Sequence, residues 1–367
     1  MPRYPTSPEF WRTIIHSIDF PNHFSNIAMP DSHTLIIGGG KSAWDVAYTC
    51  ATQPSSTATM LIQPSGNGPA WTSPAHVTPL RLWFEKLVST RFFGFLAPCP
   101  RAEGSGVVVE AFWGALGADI IRLNKLEEHT ETIELRPWKN TFDLGNAPSI
   151  LTYPTSLLGL VKEGRIKIVI DEVARFEEVS EVLLKGGKRL RADAVVCAAG
   201  WKAGCTLKFK PASLERELGL PSMGEPGVGN IALAERVEAD LHAQFPFLEG
   251  HDTSRTHNPV PELRYAPSAD GRPICPTYRL CRFLIPLSDF HRRSIGFAGV
   301  AQSLGNASCA YLQSIWLAAY LDESISLPPT SIDQLEYDLY RDAQYCALRS
   351  AMAYGNKFPD LVFDSLP

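Results

Sequence analysis

The chain has 367 residues, 45% of them hydrophobic and 20% charged, with a formal net charge of −5. A chain near 300 residues buries about 75% of the surface its unfolded form exposes, so one large domain or two or three intimate ones can form without staples. Its aliphatic and aromatic content excludes disorder as the main state. The absence of a basic stripe excludes a nucleic-acid groove, and no uninterrupted apolar run is long enough for a membrane span.

In chain order, residues 1–33 read as an irregular, proline-punctuated opening with no secretory signal. Thr34–Ile37 reads as a buried strand, Lys41–Ala51 as a helix and Thr57–Ile62 as the next strand, a βαβ unit. Residues 65–150 form an aromatic-rich insertion, in which Leu80–Phe95 is expected to be a helix stopped by Pro98 and Pro100. From Arg165 the pattern becomes a meander: Ile166–Ile170, Ala174–Phe176, Val182–Leu184 and Arg189–Arg191 as strands, then Ala194–Ala198 as a buried one. Residues 211–275 are proline-rich with little periodicity. Ser294–Ala298 is expected as a last core strand, Ala301–Leu321 as an apolar helix and Ile332–Leu348 as an amphipathic one. The expected fold class is α/β: a Rossmann-like three-layer dinucleotide-binding fold with a β-meander and the aromatic-rich insertion. Its core would comprise residues 34–64 and 151–210, followed by a further part over 211–325 and a tail over 326–367. The eight cysteines (50, 99, 197, 205, 275, 281, 309 and 346) form no C-x-x-C, so buried free thiols in a reducing cytoplasm are expected, and no metal site.

One motif carries chemistry. Gly38-Gly39-Gly40-Lys41-Ser42-Ala43 fits G-x-G-x-x-A between a strand and a helix. Gly38 allows the tight turn, Gly40 lets a pyrophosphate approach the backbone, and Ala43 lets the helix pack closely on the sheet. The helix N-terminus, with Lys41 and Ser42, offers N–H groups and positive charge to phosphate. An Asp or Glu at the end of the second strand would hold the ribose hydroxyls of NAD, and an Arg would hold the extra phosphate of NADP. Here Gln63 follows Ile62, neither acid nor base, so a weakened grip is expected.

The stretches GGGKSAWDVA, SGNGPAWTSPAHVTPLRLWFEKL and AVVCAAGWK resemble the flavin-containing monooxygenases, in particular a fungal branch. FWRTIIHSIDF fits that family's F-x-G-x-x-x-H-x-x-x-Y/F signature at Phe10, His16 and Phe20, with Arg12 in place of Gly. The likeness runs from about residue 10 to the end. Four departures follow from it: the family's phosphate-reading Arg falls at Gln63, a usual His is Asn67, the Thr of an A-T-G turn is Ala199, and relatives continue past the last residue. The family also places a FAD-binding βαβ unit with its own G-x-G-x-x-G ahead of the signature, whereas residues 1–33 contain no glycine. The resemblance thus implies a truncated family member that would lack the N-terminal half of the flavin site, with residues 211–325 expected to correspond to a residual FAD-lobe-like part.

The resemblance and its departures imply a repurposed enzyme of fungal secondary metabolism. FAD is not expected to bind, and NADP binding at the single G-x-G-x-x-A site is left open. The leading expectation is a cofactor-free cyclase or isomerase, for example a pericyclase of the [4+2] Diels–Alder type, acting on a hydrophobic small molecule in the vacated cleft. Candidate donors or acids are His76, Arg91, Tyr153 and Arg282. Candidate pocket walls are Trp71, Trp83, Trp113, Trp138 and Trp201, with Gln302 and Asn306 lining the space; packing explains the tryptophans equally well, and helix capping Gln302 and Asn306. Gly38, Gly40, Lys41 and Ser42 are the candidate, or vestigial, cofactor-binding residues. The alternatives are an NADPH-dependent oxidoreductase or monooxygenase with FAD supplied otherwise, and a pseudoenzyme binding a partner. A homodimer through the surface left by the missing lobe is the modest form of the latter.

Overall fold

The computed structural model describes residues 4–74, 76–77, 82–83, 105–139, 149–200, 207–211, 213–220, 230–248, 278–303, 306–349 and 358–361. Its centre is a five-stranded sheet in the order β1 (Thr13–His16), β12 (Ala194–Cys197), β2 (His33–Ile37), β3 (Thr57–Ile62), β8 (Ile166–Ile170). Every neighbouring pair is parallel. Strands buried on both faces must be apolar at consecutive positions, and HTLII, TATMLI and AVVC are. Side chains still divide by the period of two. Ile36, Met60 and Val196 enter one core with the helices; Leu35, Leu61 and Val195 enter another with the meander.

On the helical face, α2 (Lys41–Ala51) lays Ala43, Ala47 and Ala51 against the sheet with no exposed surface. That spacing of four puts small residues on one stripe and lets the helix approach closely. α1 (Phe20–Ile27), with a proline in its first turn, and α5 (Leu157–Lys162), N-capped by Ser156, pack beside it. The opposite face is covered by an antiparallel meander: β9 (Val173–Phe176), β10 (Glu181–Leu184) and β11 (Arg189–Arg191). Phe176, Val182 and Leu184 drive it onto the sheet. Helices, parallel sheet and meander make three layers, a Rossmann-like arrangement. From β2 the chain runs outward through β3 and β8 and then returns to β12 on the other side of β2, so the topological switch point lies between β2 and β12, at their C-terminal ends.

The insertion contributes the short ladders β4 (Thr72–Ser73) with β7 (Ser149–Ile150) and β5 (His76–Val77) with β6 (Leu82–Trp83). It also holds α3 (Ser105–Leu123) and α4 (Thr130–Ile133). After the sheet come α6 (Ser213–Glu217), α7 (Ile231–Gln244), the hairpin β13 (Leu280–Cys281)–β14 (Ile285–Pro286), α8 (Asn306–Leu321) and α9 (Ile332–Arg349). Leu241, Ile285, Tyr320 and Leu339 belong to a second apolar cluster there. Among the described residues, no helix is long and apolar enough to cross a membrane, and no His/Cys/Asp/Glu group could hold a metal ion.

Several expectations change. The opening segment is not irregular: β1 joins the sheet edge, Arg12 reaches Asp193 at 3.4 Å, and α1 follows. Leu82–Trp83 is strand, not helix; the rest of Leu80–Phe95 lies outside the described residues. Ser294–Ala298 is not a strand, because the N–H groups of Ser294 and Ile295 go to the buried Asp289 carboxylate at 2.7 and 2.8 Å. α8 begins at Asn306, and α3 and α7 occupy stretches where no helix was read.

Candidate functional site

The site forms where β2 ends and α2 begins, at the switch point. Gly38 takes φ +143°, and its N–H donates to the Leu61 carbonyl at 2.9 Å. A Cβ there would lie 2.4 Å from the Ala198 carbonyl oxygen, where β12 ends. At Gly39 a Cβ would lie 2.6 Å from the Gly68 carbonyl oxygen, because the loop after β3 folds back over the turn. Ala70 N–H and the Trp44 indole N–H lock that loop and α2 onto the Gly39 carbonyl at 2.7 and 3.0 Å. Gly40 is different: a Cβ would meet nothing within 4 Å. It is the N-cap of α2, so the open space faces the helix end whose first N–H groups have no partner within the helix.

Beside this opening, Lys41 and Asp45 pair across one turn of α2. The Tyr153 hydroxyl donates to Asp45 Oδ1 at 2.8 Å and lies 3.1 Å from Lys41 Nζ. Its ring stacks on Tyr48 with centroids 4.5 Å apart. Burial, then the bond to Asp45 and its negative charge, push the Tyr153 phenol well above its ordinary range, so it stays protonated and acts as a donor.

The end of β3 forms the rim. The Gln63 amide lies 3.4 Å from the Tyr4 hydroxyl. Ser65 donates to Glu172 Oε1 at 2.6 Å, and Lys185 pairs with the other oxygen of that carboxylate. Those two bonds hold Glu172 below the usual range. Lys139 Nζ donates to Asn67 Oδ1 at 2.6 Å. Glu172, Lys185 and Lys139 were not read from the sequence. They lie far from Gln63 along the chain, and no linear spacing signals that they meet its loop.

Gly38, Gly40, Lys41, Ser42 and Tyr153 therefore share one place. The other candidates do not join them. Trp71, Trp113 and Trp138 are packed at 2%, 3% and 3% exposure. His76 and Trp83 are cross-strand partners in the β5–β6 ladder; their side chains, like all of Arg91 and Trp201, lie outside the described residues. Arg282 sits exposed at the tip of the β13–β14 hairpin with φ +53°, its guanidinium 5.7 Å from the Trp316 ring centroid. Asn306 donates to Gln302 Oε1 at 3.0 Å and accepts from Ser303 N–H at the start of α8. A groove of about 480 Å³ lies elsewhere, between the N-terminal segment and the meander; Glu9, Glu177, Glu178, Arg175 and Arg189 line it.

No protein-family model matches the chain. Over 396 residues it is 26% identical to the FAD-dependent monooxygenase rstn6 of Aspergillus nomiae, and over 403 residues 24% identical to the FAD-dependent monooxygenase resA of Aspergillus sclerotiorum. Each alignment covers 100% of this chain and 65% of the relative. Among solved structures, ε-caprolactone-bound cyclohexanone monooxygenase overlaps 55% of this chain and 46% of its own, at 13% identity and a TM-score of 0.39.

Proposed function

Starting from a chain homologous along its whole length to fungal FAD-dependent monooxygenases, we propose that it is an oxidoreductase of that kind. Its Gly38–Ser42 turn would bind a nicotinamide dinucleotide, and its substrate would be an apolar small molecule of fungal secondary metabolism. The observation that carries the reading is the contrast within the turn. Gly38 and Gly39 are required by neighbouring backbone, whereas Gly40 borders open space at a helix N-terminus. Packing does not need that third glycine; a pyrophosphate approaching the backbone does. The residues present therefore fit a dinucleotide. First-turn N–H groups of α2 would receive the pyrophosphate, and Lys41 would add charge. Asp45 and Tyr153 hold that ammonium one helical turn along α2 from the glycines. Bound dinucleotide would supply hydride in such an enzyme.

The relatives are named as FAD-dependent, and the chain spans 65% of the length of the first two. We assign the flavin no residues. The cofactor-free cyclase reading ranks second. Its aromatic pocket draws no support from the described tryptophans of the insertion, which are buried in packing, nor from the groove beside the meander, to which none of them contributes.

The test is calorimetric titration of the full chain with NADP⁺ and with FAD, followed by substrate-dependent NADPH consumption. Saturable NADP⁺ binding that Gly40→Val abolishes is the expected result. Absence of dinucleotide binding, together with conversion of an apolar substrate to a product of unchanged mass, would replace this reading with the cyclase.

A further inference from the structure

α8 has the composition of a core helix: NASCAYLQSIWLAAYL holds no Asp, Glu, Lys or Arg. A helix that is apolar all round is normally covered all round. α8 is covered on one side. Leu317 and Tyr320 are buried in the cluster shared with α7 and α9, and the Tyr320 hydroxyl donates to the Phe290 carbonyl at 2.9 Å. The other side is open: Tyr311, Leu312 and Ile315 are 67%, 49% and 51% exposed, and Ser308 and Ala318 are exposed with them. Ser308, Tyr311, Ile315 and Ala318 follow the alternating three-and-four spacing of a coiled-coil seam, and Leu312 borders it. α7, by contrast, exposes Glu235, Arg236 and Asp240.

The order of side chains along this seam suits a second copy of the same chain. Turning α8 end for end about Gln313 exchanges Tyr311 with Ile315, Leu312 with Ser314 and Ser308 with Ala318. In an antiparallel pair the large side chains would meet at the centre and the small ones toward the ends, alike on both copies, as a two-fold contact requires. No like charges would face each other along the helices. Asp322 and Glu323, exposed just beyond the C-terminus, would lie beside the positive N-terminal end of the other α8. We propose that the chain self-associates through α8 as an antiparallel two-fold pair, Tyr311 of each copy packing on Ile315 of the other.

A single helix pair buries less than a full-sized interface, so a Kd of about 1–100 μM is expected. In sedimentation equilibrium over about 1–200 μM, the mass of the full chain should rise from the 40.4 kDa of one copy toward twice that value. Ile315→Glu and Tyr311→Lys, each at an exposed position, should both stay monomeric over that range with the parent's helix content. Mixed in equal amounts, the two variants should associate again, since one Tyr311–Ile315 contact survives and the other becomes a lysine–glutamate pair. Ala318→Arg, also at an exposed position, tests the seam if either variant fails to fold. A parent chain that is monomeric at the highest concentration, or a dimer that survives these substitutions, overturns the proposal. Monomeric variants that do not recombine overturn the antiparallel pairing.

Discussion

Gly38 and Gly40 sit two residues apart and resist substitution for different reasons. Gly38→Ala would hold an L residue at φ +143° with its Cβ against the Ala198 carbonyl. Backbone strain alone costs about 1–3 kcal/mol, and the clash adds to it, so the melting temperature should drop by several degrees. Gly40→Ala meets no atom within 4 Å and keeps an allowed backbone at φ −75°. Its stability should change by about 1 kcal/mol or less for a changed cap, so its melting temperature should shift little, while NADP⁺ affinity falls. Equal thermal losses in the two variants would contradict the assignment of Gly40 to a ligand. The thiols offer a second check at this scale. Burial pushes Cys50, Cys197 and Cys281 up to about 11, so these three should resist alkylation in the native chain at pH 8 and react once it is unfolded, as read by peptide mass mapping.

At the scale of elements, side chains replace ladders where ladders stop. His33 opens β2, and its ring lies between Thr57 Oγ1 at 2.7 Å and Thr59 Oγ1 at 3.1 Å on β3. Burial outweighs the pull of Asp193 and lowers its pKa from 6.5. The folded state therefore prefers neutral His33; its contribution is complete above pH 6.5 and is lost as pH falls toward the depressed folded value. Denaturant titrations of His33→Gln should show a shallower loss of stability below pH 6.5 than the parent chain. Asp289 plays a comparable part for the 294–298 segment. Burial alone would raise its carboxyl, but bonds from Ser294 and Ile295 hold it below the ordinary 3.8. Asp289→Ala removes the acceptor of three such bonds and should cost about 3 kcal/mol or more in urea unfolding. A loss under 1 kcal/mol would mean that the segment is held some other way.

For the molecule as a whole, the proposed binding site and part of the stability are housed apart. The Gly38–Ser42 turn belongs to the sheet and its helical layer, whereas Leu339 lies in the cluster built by α7, α8, α9 and the β13–β14 hairpin. Leu339 is 2% exposed, so Leu339→Ala leaves a cavity worth about 2–5 kcal/mol. Measured at a temperature where the variant remains folded, its NADP⁺ affinity should match that of the parent chain. A large fall would show that the helical cluster shapes the nucleotide site as well.

The sequence by itself determined the βαβ unit around the glycines and much of the meander. Lys41–Ala51, Thr57–Ile62, Ile166–Ile170 and Arg189–Arg191 have the same bounds in the structure. These are local signals: a hydrophobic period, a glycine turn and small residues at a spacing of four arise from neighbours in the chain. Only the tertiary structure decided that Thr13–His16 joins the sheet beside β12, that Ser294–Ala298 spends its N–H groups on Asp289, and that Lys139 meets Asn67 across 72 positions. An edge strand of four residues, a carboxylate replacing a ladder and a distant lysine leave no periodicity to read. Each exists because packing brings together groups whose separation along the chain carries no information about their distance in space.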